Sequence, residues 1–347
     1  MAQIIDKGRP GVFFTFAELA TARLVGVEGT VLLIASNYVA PVLVNQTYVF
    51  TSARQARDTL TVAKADAAVA AFDNGASKVI VRTVPTAPVT ADYTSALAAV
   101  ATYQFQAIAL DHETTDTVVS TFKTWLSDER TLNDRYVFFV TGGNAARDAK
   151  PDMGIAAALA NKDDYIVQAI NAPKYGSVAK SSGLNASALA GQIAGSSLGA
   201  SFTYTEIIDA TDVNVSLSPT DIKAALAAGA FVYEFNGDFV RTVRGLTTSG
   251  AKLRKSLLKQ TIVRDVKQEI ENNWIGKKAN GPTQRQALKG VLETYVQTLV
   301  NAGVIAEEFT VDVSRPEGAD ADQVAVEMKL VFQDTMEEVY VSVGFTN

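Results

Sequence analysis

Short apolar runs alternate with segments of helical spacing over residues 25–175, and this alternation constrains the fold more than any other feature of the sequence. The runs TVLLIAS, SKVIVRTV, FQAIALD, YVFFVTG and DYIVQAI have the length of buried strands. The segments between them place apolar residues three and four positions apart, as a helix lying on a sheet requires. The alternation favours an α/β layered domain, although it does not set the order of the strands.

The last hundred or so residues have a different pattern, in which two helices precede strands. Apolar side chains recur at helical spacing over residues 258–270 and again over 288–299. Thr283 with Gln286 resembles a capping box, and Gly303 suits the end of the second helix. The period then becomes two in residues 309–313 and 324–332, which predicts strands with one buried face.

The composition excludes several classes of protein. The chain has no cysteine among its 347 residues, so disulfides, thiolate metal sites and cysteine nucleophiles are ruled out, and intracellular folding fits best. Pro10 and Glu18 interrupt the N-terminal region, which is not predicted to be a signal peptide. Because the apolar windows are shorter than the roughly 20 residues that span a bilayer, the sequence predicts a soluble protein.

Two places offer weak candidates for catalysis or ligand binding. A Ser-His-Asp triad could be built only around His112, the single histidine, but a polar residue after a strand often simply marks the start of a loop. The TGGN turn at residues 141–144 could cradle an anion, although it is also ordinary turn chemistry. With Asp111 or His112, this turn would make a nucleotide- or sugar-phosphate-binding α/β enzyme. We keep that enzyme as the alternative function and predict no catalytic residue, cofactor or metal.

The segment GQIAGSSLG also resembles a phosphate-binding loop at first sight. Its glycines, Gly191, Gly195 and Gly199, recur at every fourth position, which is not the spacing of a dinucleotide fingerprint or a P-loop. The segment instead predicts a closely packed helix of small residues.

Basic residues are concentrated in one amphipathic stretch. Residues 241–289 contain twelve Lys or Arg and three acidic residues, for a balance of +9 in a chain whose net charge is −6. A run of this kind is often only a solvated helix face. Nucleic-acid binding is a weaker interpretation, because the stretch lacks interleaved aromatic residues and the rest of the chain is acidic.

Three parts of the sequence together resemble the tail sheath proteins of contractile-tailed bacteriophages and phage-like bacteriocins. They are GRPGVFFTF at the start, AGQIAGSSLGASFTYTEI in the middle, and the C-terminal run that ends in VAVEMKLVFQDTMEEVYVSV. The resemblance covers roughly residues 1–20 and 185–347, and it lies in the order and texture of the segments. Residues 25–180 carry no motif of the family, and the chain looks short for a sheath protein, which suggests a single compact outer domain.

The resemblance implies an α/β and α+β fold in which an outer α/β layered domain is inserted into an inner α+β domain. The inner domain would combine the N-terminal segment with the C-terminal helices and strands. We place the N-terminal arm and part of the inner domain at residues 1–24, and the outer domain at 25–234. Residues 235–347 then form the rest of the inner domain and end in a terminal β arm.

The function that the resemblance implies is structural. The chain would be a sheath subunit that polymerises around a tail tube in stacked sixfold rings and contracts to drive the tube through a bacterial envelope. Its expected partners are further copies of itself, the tail tube protein, and the baseplate and tail terminator proteins, with no membrane insertion and no nucleic acid. The expected location is a virion tail or phage-like particle assembled in the cytoplasm of the bacterial host.

The resemblance also implies two kinds of contact residue. The two ends of the chain are β-prone, and strands there could complete sheets in neighbouring subunits. The residues expected in these arms are Val12, Phe13, Phe14, Phe16, Val339, Tyr340, Val341, Val343 and Phe345. The basic stretch would line the inner wall of the sheath and meet an acidic tube, where complementary charge sets the register. The expected tube contacts are Lys252, Arg254, Lys255 and Lys259.

Overall fold

The computed structural model describes residues 29–343, apart from 37–41, 63, 113 and 319. A six-stranded sheet forms its centre, in the order β2-β3-β1-β4-β5-β6, and β2 is the antiparallel edge strand. The remaining pairs are parallel. The strands are β1 (Thr30–Ala35), β2 (Thr47–Phe50), β3 (Lys78–Thr83), β4 (Ala107–Leu110), β5 (Phe138–Thr141) and β6 (Ile166–Gln168).

Helices cover both faces of this sheet, so its central strands are apolar on both sides. Leu32 and Ile34 of β1 face one core, and Val31 and Leu33 face the other. The helices of this part are α1 (Ala53–Leu60), α2 (Asp66–Asp73), α3 (Thr90–Ala99), α4 (Asp116–Asn133), α5 (Ala145–Asp148), α6 (Pro151–Ala160), α7 (Ala186–Gly195) and α8 (Pro219–Ala227). The first core includes residues of α3 and α4, and the second includes residues of α1, α2 and α7. The predicted layering of helices on a sheet is thus observed.

Helix α7 is the predicted helix of small residues, and the structure confirms why it needs them. A Cβ atom at Gly191 would lie 2.2 Å from the carbonyl oxygen of Ala71, and one at Gly195 would lie 2.2 Å from that of Gly75. Both carbonyl groups belong to α2 or its C-terminal turn. The two backbones can therefore approach each other only because glycine has no side chain.

Two small sheets flank β6 and lead into the C-terminal part of the chain. The first has the strand order β8-β7-β9 and contains β7 (Pro173–Tyr175), β8 (Val178–Ala179) and β9 (Asp212–Val213). The second is a hairpin of β10 (Tyr233–Phe235) and β11 (Val240–Thr242). The predicted domain boundary between residues 234 and 235 falls within β10. The division into an outer and an inner domain, and the insertion of one into the other, stay predictions.

The C-terminal part consists of α9 (Leu253–Asn273), α10 (Pro282–Asn301), β12 (Ile305–Ser314) and β13 (Ala325–Phe332). β12 and β13 form an antiparallel hairpin, and its apolar residues share a core with α9 and α10. The predicted order of two helices followed by strands is confirmed. Gly303 has a φ of +68° and follows α10, as its sequence position indicated.

One detail of this part differs from the sequence-based expectation. Thr283 does not cap α10, because Gly281 is the N-cap residue and Pro282 is the first helical residue. Proline suits that position, where its fixed φ is helical and its missing N–H would have no partner in the helix. Residues 333–343, the described part of the β-prone tail, have no regular secondary structure, and the pairing of the tail with a neighbouring subunit stays a prediction.

The contact between α2 and α7 gives the first testable prediction. We expect Gly191→Ala to lower the free energy of unfolding by about 1–3 kcal/mol, because the added methyl group must displace backbone rather than a flexible side chain. The matched control is Gly290→Ala in α10, where an added Cβ meets no atom within 4 Å. That change should stabilise the protein by about 0.5–1 kcal/mol. Urea denaturation of the two variants would contradict the packing account if both shifts had the same sign.

Candidate functional site

His112 lies in a closed hydrogen-bond network rather than in a catalytic triad. Its Nδ1 atom lies 2.6 Å from Asp111 Oδ1 and 3.3 Å from Ser36 Oγ, and its Nε2 atom lies 2.6 Å from the Tyr93 hydroxyl group. Burial raises the pKa of Tyr93 to about 12, so this hydroxyl group stays protonated and can donate to Nε2. A triad needs the serine and the carboxylate on opposite ring nitrogens. Here both share Nδ1, and the network instead ties the end of β1 to the end of β4.

The TGGN turn is filled by another part of the chain. The Gly143 N–H group donates to Ser182 Oγ at 2.7 Å, and the Gly183 N–H group donates to the Gly143 carbonyl oxygen at 2.8 Å. The buried carboxylate of Asp148 in turn accepts from the N–H and hydroxyl groups of Ser182. A phosphate would have to displace these contacts. Over the described ranges, moreover, no group of three His, Asp or Glu side chains could hold a metal ion.

Helix α9, which carries much of the basic stretch, lies against the end of the central sheet at which strands β4 and β5 begin. The side-chain amide of Gln260 donates to the carbonyl oxygens of Gln106 at 2.9 Å and Tyr136 at 2.8 Å. About two turns further along, Lys267 Nζ donates to the Asn133 carbonyl oxygen at 2.7 Å. Gln260 therefore fixes α9 to the sheet, and Lys267, although exposed, bonds the last residue of α4.

Arg254, one of the four predicted tube contacts, is buried within the chain. Its Nε atom donates to the Gly199 carbonyl oxygen at 2.6 Å, and its Nη1 atom donates to that of Gln333 at 2.5 Å. Its Nη2 atom lies 3.4 Å from the Gly303 carbonyl oxygen, and the guanidinium lies 5.1 Å from the centre of the Phe332 ring. Only 8% of the residue is exposed. In this conformation Arg254 holds segments of its own chain together and does not face outward.

The other three predicted tube contacts divide into two groups. Lys252 forms ion pairs within the chain, at 2.6 Å to Asp334 and 3.1 Å to Glu337. Lys255 and Lys259 are exposed, and Lys259 Nζ lies 3.9 Å from Asp164 Oδ2. Of the four, Lys255 and Lys259 are therefore the residues whose charge reaches the surface.

Lys255 and Lys259 lie at the rim of a cleft between α9, the central sheet and the C-terminal hairpin. The cleft has a volume of about 650 Å³. Its apolar lining includes Leu258, Ile262, Ile305, Met328, Leu330 and Phe332. The rim also carries Arg130, Asp163 and Asp164, so both signs of charge border an apolar floor.

After the hairpin, the chain continues through residues 333–337, a segment held by ion pairs that we call the arm root. Glu337 is its centre, with 9% of its side chain exposed. Its carboxylate accepts from Thr203 Oγ1 at 3.0 Å and Arg244 Nε at 2.8 Å, and Lys252 Nζ lies 3.1 Å away. Burial alone would raise the pKa of Glu337, but the hydrogen bonds from Lys252, Thr203 and Arg244 hold it below the ordinary value of 4.5. Glu337 is therefore ionised at neutral pH.

Beyond the root lies the arm (residues 338–347), of which the structure describes residues up to 343. Val339, Tyr340, Val341 and Val343 are 74%, 91%, 78% and 68% exposed. The other predicted arm residues, Val12, Phe13, Phe14, Phe16 and Phe345, lie outside the described residues. No local pattern indicates the arm root, because its partners Thr203 and Arg244 are 134 and 93 residues away from Glu337.

Two family models match this chain. Residues 86–248 match the phage tail sheath protein central domain, and residues 251–346 match the phage tail sheath C-terminal domain. Phage-like element PBSX protein XkdK of Bacillus subtilis (strain 168) is 26% identical over 280 residues. That alignment includes 74% of this chain but 56% of the relative, so the chain spans about half of that protein's length.

Solved structures of sheath proteins share the fold at low sequence identity. The sheath tail protein from Desulfitobacterium hafniense is 13% identical, with a TM-score of 0.69, and the match covers 93% of this chain and all of that one. The helical sheath of the anti-feeding prophage in its contracted state is 13% identical, with a TM-score of 0.70, and covers 96% of this chain and 98% of that one. The sheath tail protein from Listeria innocua, at 12% identity and a TM-score of 0.65, covers 87% and 95%.

The burial of Arg254 predicts opposite behaviour for two neighbouring basic residues. Arg254→Met should lower the free energy of unfolding by about 2–4 kcal/mol, because it removes a buried charged donor that bonds the carbonyl oxygens of distant segments. Lys255→Met removes the same charge from an exposed position and should change that free energy by no more than about 0.5 kcal/mol. Urea denaturation of the two variants measures both values. Equal values would show that Arg254 does not hold the chain together as the contacts indicate.

Proposed function

Because this chain belongs to the family of phage tail sheath proteins, we propose that it is the structural subunit of a contractile tail sheath. Copies of the chain would polymerise around a tail tube in stacked sixfold rings. Contraction of this polymer would drive the tube through a bacterial envelope. The observation that carries the proposal is the arm, an apolar and β-prone segment that is exposed in the single chain. Such a segment requires a partner surface, and a contact between different surfaces of identical copies generates rings or helices.

The arms would link subunits by completing sheets in their neighbours. The hairpin of β12 and β13 is a two-stranded sheet, so within the described part of the chain both of its outer edges lack a strand partner. An extended segment that reaches such an edge gains main-chain hydrogen bonds, and its alternate side chains can bury against the hairpin. Val339, Tyr340, Val341, Val343 and Phe345 would do this at one end of the chain. Val12, Phe13, Phe14 and Phe16 would do it at the other end.

The exposed lysines at the cleft rim would face the tube. Lys255 and Lys259 are available for an acidic partner, and contacts at a solvated rim are individually weak enough to break during contraction. Lys252 and Arg254 would support this surface from within the chain, through their contacts with the arm root and the carbonyl groups described above. The baseplate and tail terminator proteins would contact the two ends of the polymer, and assembly would take place in the cytoplasm of the bacterial host.

The outer domain would be an insertion in the inner one. The N-terminal arm would then lie with the C-terminal helices and hairpin, while the six-stranded sheet projects outward. The contact of α9 with the starts of β4 and β5 supports a fixed orientation between the two parts.

Removal of the arm tests the linkage. Deletion of residues 338–347 should leave the thermal unfolding temperature unchanged, because the arm side chains that the structure describes are exposed, and should abolish polymers in negative-stain micrographs. Val341→Pro, which removes a main-chain donor, should act in the same direction, whereas Val341→Thr keeps a β-prone residue and serves as the control. Deletion of residues 1–16 tests the other arm in the same assay. Wild-type polymers from both deletions would contradict the proposed linkage.

Charge reversal tests the tube contact. We expect the double variant Lys255→Glu/Lys259→Glu, produced together with its tube protein, to assemble poorly on the tube at low salt, because attraction becomes repulsion. Moderate salt should reduce the difference from the wild type through screening. The control, Lys150→Glu/Lys223→Glu, reverses two exposed charges of the outer domain and should assemble normally. Unchanged assembly of the first variant at both salt concentrations would show that Lys255 and Lys259 do not contact the tube.

A further inference from the structure

The arm root and the arm differ in which side chains are buried. The root buries the carboxylate of Glu337, while Met336 beside it is 94% exposed. Beyond the root, the four apolar side chains of the described part of the arm are all exposed. An arm folded back onto its own subunit would bury these apolar groups and leave the charges in water. The observed arrangement instead fixes the start of the arm and leaves the four described apolar side chains accessible.

The contacts of the root explain why it stays fixed. Arg244 lies between β11 and α9, and Lys252 is the N-cap residue of α9, so both cations belong to the body of the subunit. They converge on Glu337, and Lys252 also lies 2.6 Å from Asp334. Hydrogen bonds between charged groups are about twice as strong as neutral ones, and opening this set would leave a desolvated carboxylate without donors. Arg254 adds a bond to the Gln333 carbonyl oxygen at the beginning of the root.

We propose that Arg244, Lys252 and Glu337 form a latch that presents the arm to a neighbouring copy of this chain. The closed latch places the pivot of the arm at residue 338, six residues beyond the end of β13 at Phe332. The free segment then begins at residue 338 instead of residue 333, which fixes where the arm starts. A shorter and directed tether raises the effective concentration of the arm at the partner edge. This inference rests on the proposed self-assembly, and it adds which residues position the arm.

Spin labels on either side of Glu337 can show whether the latch exists. The chain has no cysteine, so Met336→Cys and Val341→Cys each provide a single labelling site, and both positions are exposed. In the otherwise unchanged subunit the label at 336 should be restricted and the label at 341 mobile. Adding Glu337→Gln should make the label at 336 several-fold more mobile. The glutamine amide has one oxygen and one NH₂ group, so it cannot accept hydrogen bonds from both Arg244 and Thr203 as the two carboxylate oxygens do. The label at 341 should not change.

Two further variants provide the matched control and an independent approach. Glu338→Gln removes the same charge from the next residue. The side chain of Glu338 is 62% exposed, and its carboxylate lies 3.9 Å from Arg244, which is beyond hydrogen-bond distance, so this change should leave the label at 336 restricted. Arg244→Met opens the latch from the other side and should release that label as Glu337→Gln does. If the two residues act through one contact, the double variant should release it no further than either single variant.

Assembly of the unlabelled full-length chain tests the presentation of the arm. With Glu337→Gln, the protein concentration at which half of the chains sediment as polymer should rise about twofold from the added tether length alone, and more from the lost direction. Glu338→Gln should assemble as the wild type does. Thermal unfolding of each variant shows that the body of the subunit remains folded.

Each result decides one part of the inference. A label at 336 that is equally restricted with and without Glu337→Gln would overturn the latch. A released label combined with unchanged assembly would overturn its presenting role, and assembly at a lower concentration would show that the latch holds the arm back. A wild-type chain that never polymerises would contradict the proposed self-assembly and the presenting role with it. The spin labels would in that case still decide whether Glu337 holds the root.

Discussion

The guanidinium group of Arg254 joins carbonyl groups from three segments that are distant in sequence. Gly199, Gly303 and Gln333 lie 55, 49 and 79 residues from it. They follow α7, α10 and β13, so one side chain in the first turn of α9 connects the segment after α7, the end of α10 and the start of the arm root. A lysine could not replace it, because a single ammonium group lacks the planar set of donors that reaches three acceptors in different directions. The contacts of Lys252 and the closure of the latch both depend on the position that Arg254 gives to α9.

This arrangement determines which charges of the basic stretch are paired within the chain and which reach the surface. Arg254 and Lys252 act within the chain, and Lys267 bonds the last residue of α4. Lys255 and Lys259 have their charges at the surface. A balance of +9 over residues 241–289 therefore overstates the charge that a partner would meet. The proposed contact with a tube is correspondingly narrow, and it lies beside an apolar cleft rather than along a uniformly basic face.

Sequence reasoning succeeded where a local pattern determines the structure. The helical spacing in α10, the period of two in β12 and β13, and the fourfold spacing of glycines in α7 each depend on residues a few positions apart. It failed where the deciding contact is distant. The burial of Arg254 and the partners of Glu337 depend on contacts across 49 to 134 residues, and no periodicity reports them. The pattern also could not give the strand order β2-β3-β1-β4-β5-β6, because each buried strand is apolar on both faces whichever neighbours it has.

The exposed arm also affects the solubility of subunits before they assemble. A β-prone segment with Val339, Tyr340, Val341 and Val343 in contact with water is an aggregation hazard for any protein that carries it. One exposed carboxylate, that of Glu338, directly precedes the segment, whereas the carboxylate of Glu337 is buried against Arg244 and Lys252. The whole chain has a net charge of −6. Charged gatekeeper residues of this kind disfavour the stacking of identical segments, because they bring like charges together. Glu338, at the first position of the arm, thus discourages the in-register pairing of two identical arms before either one reaches a neighbouring subunit.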